Sequence, residues 1–144
     1  MSRAGVLNQI DTRLATITDP AFVAVLRGEP LAIAGTPLLA FWVSGRSLTA
    51  QSFTNDGSTT RITIRAYFRM QTSTDVRESI ELDVWDAMYS VHNALAGDSE
   101  LGGNCSDLRI ESAEAGFIEM SGSAFRTVSI PIEVDILEEV TVVP

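Results

Sequence analysis

Two stretches of this chain alternate strictly between apolar and polar positions. Over 61–70, Ile62, Ile64, Ala66, Phe68 and Met70 interleave with Arg61, Thr63, Arg65, Tyr67 and Arg69. Over 127–137, Val128, Ile130, Ile132, Val134 and Ile136 interleave with Thr127, Ser129, Pro131, Glu133 and Asp135. Strand side chains point to opposite faces with period two, so each stretch predicts a strand with one buried face and one facing solvent or a partner. Between them the spacing turns helical. Val76, Ile80, Val84, Met88, Val91 and Leu95 form one stripe, and Leu82, Trp85, Tyr89 and His92 form a second, displaced around the axis. This predicts a helix over 75–96, capped by Ser73 or Thr74 and ended by Gly97. A surface helix needs only one apolar stripe, so the second predicts a second cover: the first helix or a neighbouring subunit.

The remaining elements read less sharply. Val6, Ile10, Leu14 and Ile17 predict an amphipathic helix over 2–18, which Asp19-Pro20 should stop. A short apolar run at 21–26 and an irregular stretch at 31–37 precede LLAFWVS, a strand at 38–44. Residues 45–60 are polar, with Asn55-Asp56-Gly57 as the turn signal, which implies a long projecting hairpin. A short strand at 105–111 turns Leu108 and Ile110 inward. A turn region around Gly116 follows, with 117–120 extended, then the last strand at 124–137 and a tail at 138–144 that is either flexible or partner-binding. Pro131 has no N–H for a ladder, so the last strand is expected at an edge or bulged. No internal repeat or linker divides the chain, which predicts one domain over 1–144. The fold class expected is α+β. It comprises a mixed, mainly antiparallel sheet, the long helix and the N-terminal helix on one face, and the hairpin.

Composition narrows the partners. The net charge of −9 disfavours nucleic acid and anionic membrane, because phosphate binding needs clustered cations. All 10 cations are arginine, read either as a preference for planar ion pairs at interfaces or as the codon usage of a GC-rich genome. One cysteine, Cys105, excludes an internal disulfide framework. The start MSRAGVLNQI lacks an apolar signal core, and no apolar run reaches the ~20 residues of a membrane span, so a soluble product of a reducing cytosol is expected.

Catalytic chemistry is thinly represented. His92, the single histidine, sits on an apolar stripe and reads as a packed or interface imidazole ahead of a base. Cys105 reads as small buried filler. Asp75, Glu78, Glu81, Asp83 and Asp86 read as a solvated face and as carboxylates complementing the helix dipole, ahead of a cation site. No catalytic, cofactor or metal site is therefore expected. The polar sheet faces and the hairpin are the candidate interface: Arg46 and Asp56 on the hairpin, and Arg61, Arg65 and Arg69 facing Glu133 and Asp135 across strands or subunits.

The ordered string LLAFWVS, a long hairpin, RITIRAYFRM, SIELDVWDAMYSVHNAL, CSDLRIES and FRTVSIPIEVDIL resembles the tail terminator proteins of long-tailed bacteriophages and the related minor tail and tail-completion proteins. The resemblance spans about residues 4–138 and rests on hydrophobic pattern and order. It implies a non-enzymatic virion protein, assembled in the host bacterial cytoplasm. Its copies form a homo-hexameric ring at the head-proximal end of the tail tube, stop tube growth and offer the head-joining surface. The implied partners are other copies, the tail tube protein and a connector or neck protein, with DNA passing through the lumen without specific binding and no membrane contact. A head-side neck component is the alternative, and a small enzyme or ligand-binding domain a third reading.

Overall fold

The two alternating stretches lie side by side at the centre of one sheet. The computed structural model describes residues 2–50, 55–70 and 74–139. Its elements are α1 (Arg3–Leu14), β1 (Ala24–Arg27), β2 (Leu38–Ala50), β3 (Asn55–Arg69), α2 (Thr74–Ala96), β4 (Asp107–Ile110), β5 (Glu114–Met120) and β6 (Ser123–Glu139). The sheet has six strands in the order β1-β2-β3-β6-β4, with β5 also paired to β6. Only β1 runs parallel to its neighbour; the other pairings are antiparallel. This is the α+β class expected, with a mixed, mainly antiparallel sheet.

Alternation sorts the sheet into two faces. Leu39, Phe41, Ile62, Ile64, Val128, Ile130, Ile132 and Val134 are buried with Val6, Ile10 and Leu14 of α1 and Ile80, Val84, Val91 and Leu95 of α2. Both helices therefore lie on one face. Ser2 caps α1 by accepting from the Gly5 N–H at 3.0 Å. The helix ends at Leu14, short of Thr18, with Ile17 packed only against the rim of the core. Asp98, after α2, accepts from Arg13 at 2.8 Å and from the N–H groups of Glu100 and Gly102. Those two backbone bonds, first the one from Gly102, hold its carboxyl below the usual range.

On the far face a second cluster forms from Ile33, Leu38, Ala40, Tyr67 and Phe125. Tyr67 belongs to the polar set by alternation, yet it is 0% exposed. Ile33, from the stretch before β2, belongs to the same cluster, so local polarity gave no sign of this burial. The hydroxyl has no hydrogen-bond partner among the described residues. Burial pushes the phenol pKa up, while the nearby Arg65 guanidinium, which does not meet hydrogen-bond geometry with the hydroxyl, draws it down. An unsatisfied buried hydroxyl costs about 1–3 kcal/mol, so Tyr67→Phe is expected to raise stability by about 1 kcal/mol in urea denaturation. An unchanged or lower midpoint would show that the hydroxyl is satisfied.

Several expectations are corrected. β6 is not an edge strand: it pairs with β3 from Asn55↔Glu139 to Arg69↔Phe125, and with β5 and β4 on its other side. Pro131 is tolerated because β5 pairing reaches only Ser129 and β4 pairing starts at Ile132. The Pro131 carbonyl accepts from Glu111 N–H on that side, and a strand residue's N and C=O point the same way, so the missing N–H faces the change of partner. Asn55, Asp56 and Gly57 are not the hairpin turn. They are paired in β3, with Asp56 opposite Ala50 and Gly57 opposite Thr49, and residues 51–54 lie outside the described residues. Gly116 likewise sits within β5, opposite Thr127. The turn there is Ser121-Gly122, with φ of 53° and 80°, joining the pair Met120↔Ser123 as a two-residue hairpin loop. The apolar run at 21–26 contributes the edge strand β1. Glu138 and Glu139 extend β6, while 140–144 and the proposed cap Ser73 lie outside the described residues.

Candidate functional site

The fold presents three exposed features, each set by a different part of the sequence. The first is the charged outer face of the sheet. Register places Arg61 opposite Glu133, as alternation implied, but the short ion pairs are made elsewhere. Arg109 of β4 reaches Asp135 at 2.6 Å, Asp107 at 3.1 Å and Glu133 at 3.2 Å, while Arg61 reaches Glu111 at 3.3 Å. The Arg109 bonds, helped by Thr59, hold the Asp135 carboxyl below its usual range. Beside each other, Glu133 pushes the Glu111 carboxyl up, while Glu111 and then Arg109 hold Glu133 down. Arg109 was not among the residues singled out from the sequence. Its signal was there: in a short strand, 109 alternates with the inward Leu108 and Ile110.

Arg65 and Arg69 take no carboxylate in this network. Arg65 donates from Nε to Ser129 Oγ at 2.8 Å and stacks over Trp42, 5.2 Å from the ring centre. Arg69 lies 5.5 Å from the Phe125 ring. These contacts place both guanidiniums over aromatic rings, where the ring quadrupole attracts them. The seven sequence candidates thus divide. Arg61, Glu133 and Asp135 share one charged cluster, Arg65 and Arg69 line an adjacent aromatic strip, and Arg46 stands apart on the hairpin. The side chain of Asp56 lies outside the described residues.

The second feature is a groove of about 300 Å³ between the first turns of α1 and the hairpin. Val6, Leu7 and Val43 are among its apolar walls, and Arg3 and Arg46 supply its cations. No carboxylate lines it among the described residues. It exists because β2 and β3 run on past the end of α1, leaving inward-facing positions of the hairpin without a helix above them.

The third feature is the outward face of α2. Leu82, Trp85 and Tyr89 are 61%, 62% and 61% exposed. The second stripe is therefore not covered by α1, and His92, at its end, is exposed as well. Phe117 of β5, 69% exposed, borders the same side: Arg126 lies 4.4 Å from its ring and donates to Glu81 of α2 at 2.9 Å. Large apolar side chains gathered on one surface mark interaction sites, whereas scattered ones do not.

Among the described residues the remaining candidates, His92, Cys105 and Asp83, have different surroundings. His92 borders a shallow hollow with Ser99, Leu95 and Leu108. Cys105 is buried in the core, and burial pushes its thiol up to about 11, away from thiolate chemistry. Asp83, on the flank of α2, is raised by burial, then by Asp86 and Asp19. Among the described residues no three His, Cys, Asp or Glu side chains group as metal ligands, and no helix is long and apolar enough to cross a membrane.

Neither a protein-family model nor a curated protein sequence matches the chain. The fold does have solved counterparts. One is a chain of the virion of a native gene transfer agent particle, similar with a TM-score of 0.50 over 92% of this chain and 92% of that one, at 16% identity. At that identity the likeness is one of fold.

Proposed function

We propose that this protein is a structural component of a phage-like virion, and within it the tail terminator. Copies close into a hexameric ring on the head-proximal end of the tail tube, end its growth and offer the surface to which the head-side connector joins. The observation that carries this reading is the end-to-end correspondence of fold, 92% of each chain, with a chain of a gene transfer agent virion. The order of elements supports the finer assignment, since it is the order in which the sequence resembles tail terminators. The surfaces fit an assembly role. A charged sheet face, an arginine-rimmed groove and an uncovered aromatic helix face are features through which a subunit meets other proteins by shape and charge.

Electron microscopy of particles made without this protein tests the assignment. Tail tubes of uncontrolled length are expected. Tails of normal length lying free beside leaking heads would move the protein to the neck, and its absence from purified wild-type particles would remove the virion reading altogether.

A further inference from the structure

We infer that two copies of the free protein pair through the outward faces of α2, with the two helices antiparallel across a two-fold axis. The inference goes beyond the virion reading and does not depend on it. An isologous contact closes at two copies, so it is not one of the contacts around a ring.

The outward face of α2 is a seam. Glu78, Leu82, Trp85, Tyr89, His92 and Ala96 are all exposed, and they follow one another at steps of 4, 3, 4, 3 and 4 residues. Alternating steps of three and four are the spacing by which one helix sets its side chains into the gaps of another. The opposite side of α2 is already used, since Ile80, Val84, Val91 and Leu95 are buried in the core. The seam therefore fits a second rod, and α2 of another copy supplies one. Its steps read the same in both directions, so an antiparallel copy matches it throughout: Trp85 meets Tyr89, Leu82 meets His92, and Glu78 meets Ala96.

Area and charge both favour this occupant. Leu82, Trp85 and Tyr89 are 61%, 62% and 61% exposed, and Phe117, 69% exposed, is tied to the flank of the seam through Arg126 and Glu81. At that exposure each aromatic has about 90–150 Å² left to bury. With Leu82 they supply about half of the ~800 Å² that one partner contributes to a standard interface. The rest of the seam and its flanks are there to add to it. Acidic residues fix the orientation. Asp75, Glu78, Glu81, Asp83 and Asp86 all lie in the first half of α2, and none lies from Ala87 to Ala96. Parallel copies would set Glu78 beside Glu78 and Glu81 beside Asp86. Antiparallel copies lay the acidic half over the acid-free half, and only Asp86, flanking the axis, meets its own copy.

The experiment uses the full chain. Sedimentation velocity across a concentration series is expected to show a dimer. Trp85→Ala, at an exposed position and with its fold checked by circular dichroism, is expected to weaken it by roughly thirtyfold or more, the loss on truncating a central aromatic anchor. Orientation is read by cross-linking. Leu82→Cys and His92→Cys, mixed and mildly oxidised, are expected to form a disulfide with each other, and neither with itself; the native Cys105 is buried. A wild type that stays monomeric to its solubility limit would overturn the inference, and control of tail length lost on Trp85→Ala would then give the face to another virion protein. A Trp85→Ala protein that dimerises as the wild type does would overturn it too, as would either cysteine variant linking to itself in preference to the other. A dimer that behaves as expected, from a protein missing from purified particles, upholds this contact and removes the virion reading alone.

Discussion

Phe41→Ala is expected to lower the unfolding free energy by about 3–5 kcal/mol, the usual cost of truncating a buried aromatic side chain. Phe41 is 1% exposed and stands in β2 opposite Ile64, with β1 on its other flank at Arg27. Its side chain belongs to the cluster that joins α1 and α2 to the sheet. The cavity would therefore open where three layers of contact meet, and β strands held on both sides cannot collapse into it. For a chain of this length each kcal/mol shifts the melting temperature by roughly 2–4 °C, so a drop of about 10 °C or more is expected in calorimetry. Phe117→Ala is the control. The same deletion at a 69% exposed position forfeits only the Arg126 stacking, about 0.5–1 kcal/mol. Comparable losses at the two sites would mean that the division into core and surface drawn here is wrong.

That division was readable where one periodicity acted alone. Ile62 to Phe68 and Val128 to Ile136 alternate because one face is dry, and the first stripe of α2 repeats because one side meets the sheet. The sequence was silent where tertiary partners decided the outcome. Tyr67 sits in a polar register, and residues from distant parts of the chain, Ile33, Leu38, Ala40 and Phe125, make its surroundings apolar. Pro131 argued for an edge strand, and the argument was sound for a strand with one partner along that side. It failed because β4 and β5 divide the side between them, leaving a place for a residue with no N–H. Asn55-Asp56-Gly57 carried turn chemistry but is held in a ladder by partners on both sides, which outweighs the local preference of three residues. β1 was missed because four residues show no period.

The candidate surfaces were legible in the same uneven way. The second stripe of α2 was visible as an excess of apolar positions, and the fold leaves it exposed where a cover was expected. The groove was invisible, since it is made by where α1 stops relative to the hairpin, and no residue pattern encodes that difference in length. Arg46 was singled out for lying on the hairpin, yet what gives it meaning is the apolar floor beside it.

Arg109→Ala is expected to destabilise the fold by about 1–2 kcal/mol near pH 7, by an amount that shrinks as the pH falls. The guanidinium holds Asp107, Glu133 and Asp135 together, and it is itself held charged beyond its usual range by Asp135 first and Glu133 next. Charge-assisted bonds of this kind are worth more when dry, but the side chain is 42% exposed, and solvent screening keeps the figure modest. The pH dependence follows from which form folding favours. Asp135 is depressed below its ordinary 3.8, so its contribution is whole above that value and is lost as the pH falls through the depressed one. Glu111 is raised above its ordinary 4.5, so its contribution is whole below that value and is lost as the pH rises through the raised one. Removing Arg109 takes away the cation that depresses Asp135 and leaves neighbouring carboxylates to repel one another. Their protonation then relieves the variant while it strips the wild type of its ion pairs, and the two stabilities converge as the pH falls below the ordinary 3.8 of Asp135. Added salt is expected to narrow the gap in the same direction. Urea denaturation of both proteins near pH 7 and at a pH well below 3.8 reads the effect. A gap that stays constant with pH would show that Arg109 acts through packing of its stem along β4, and that the carboxylates around it are indifferent to its charge.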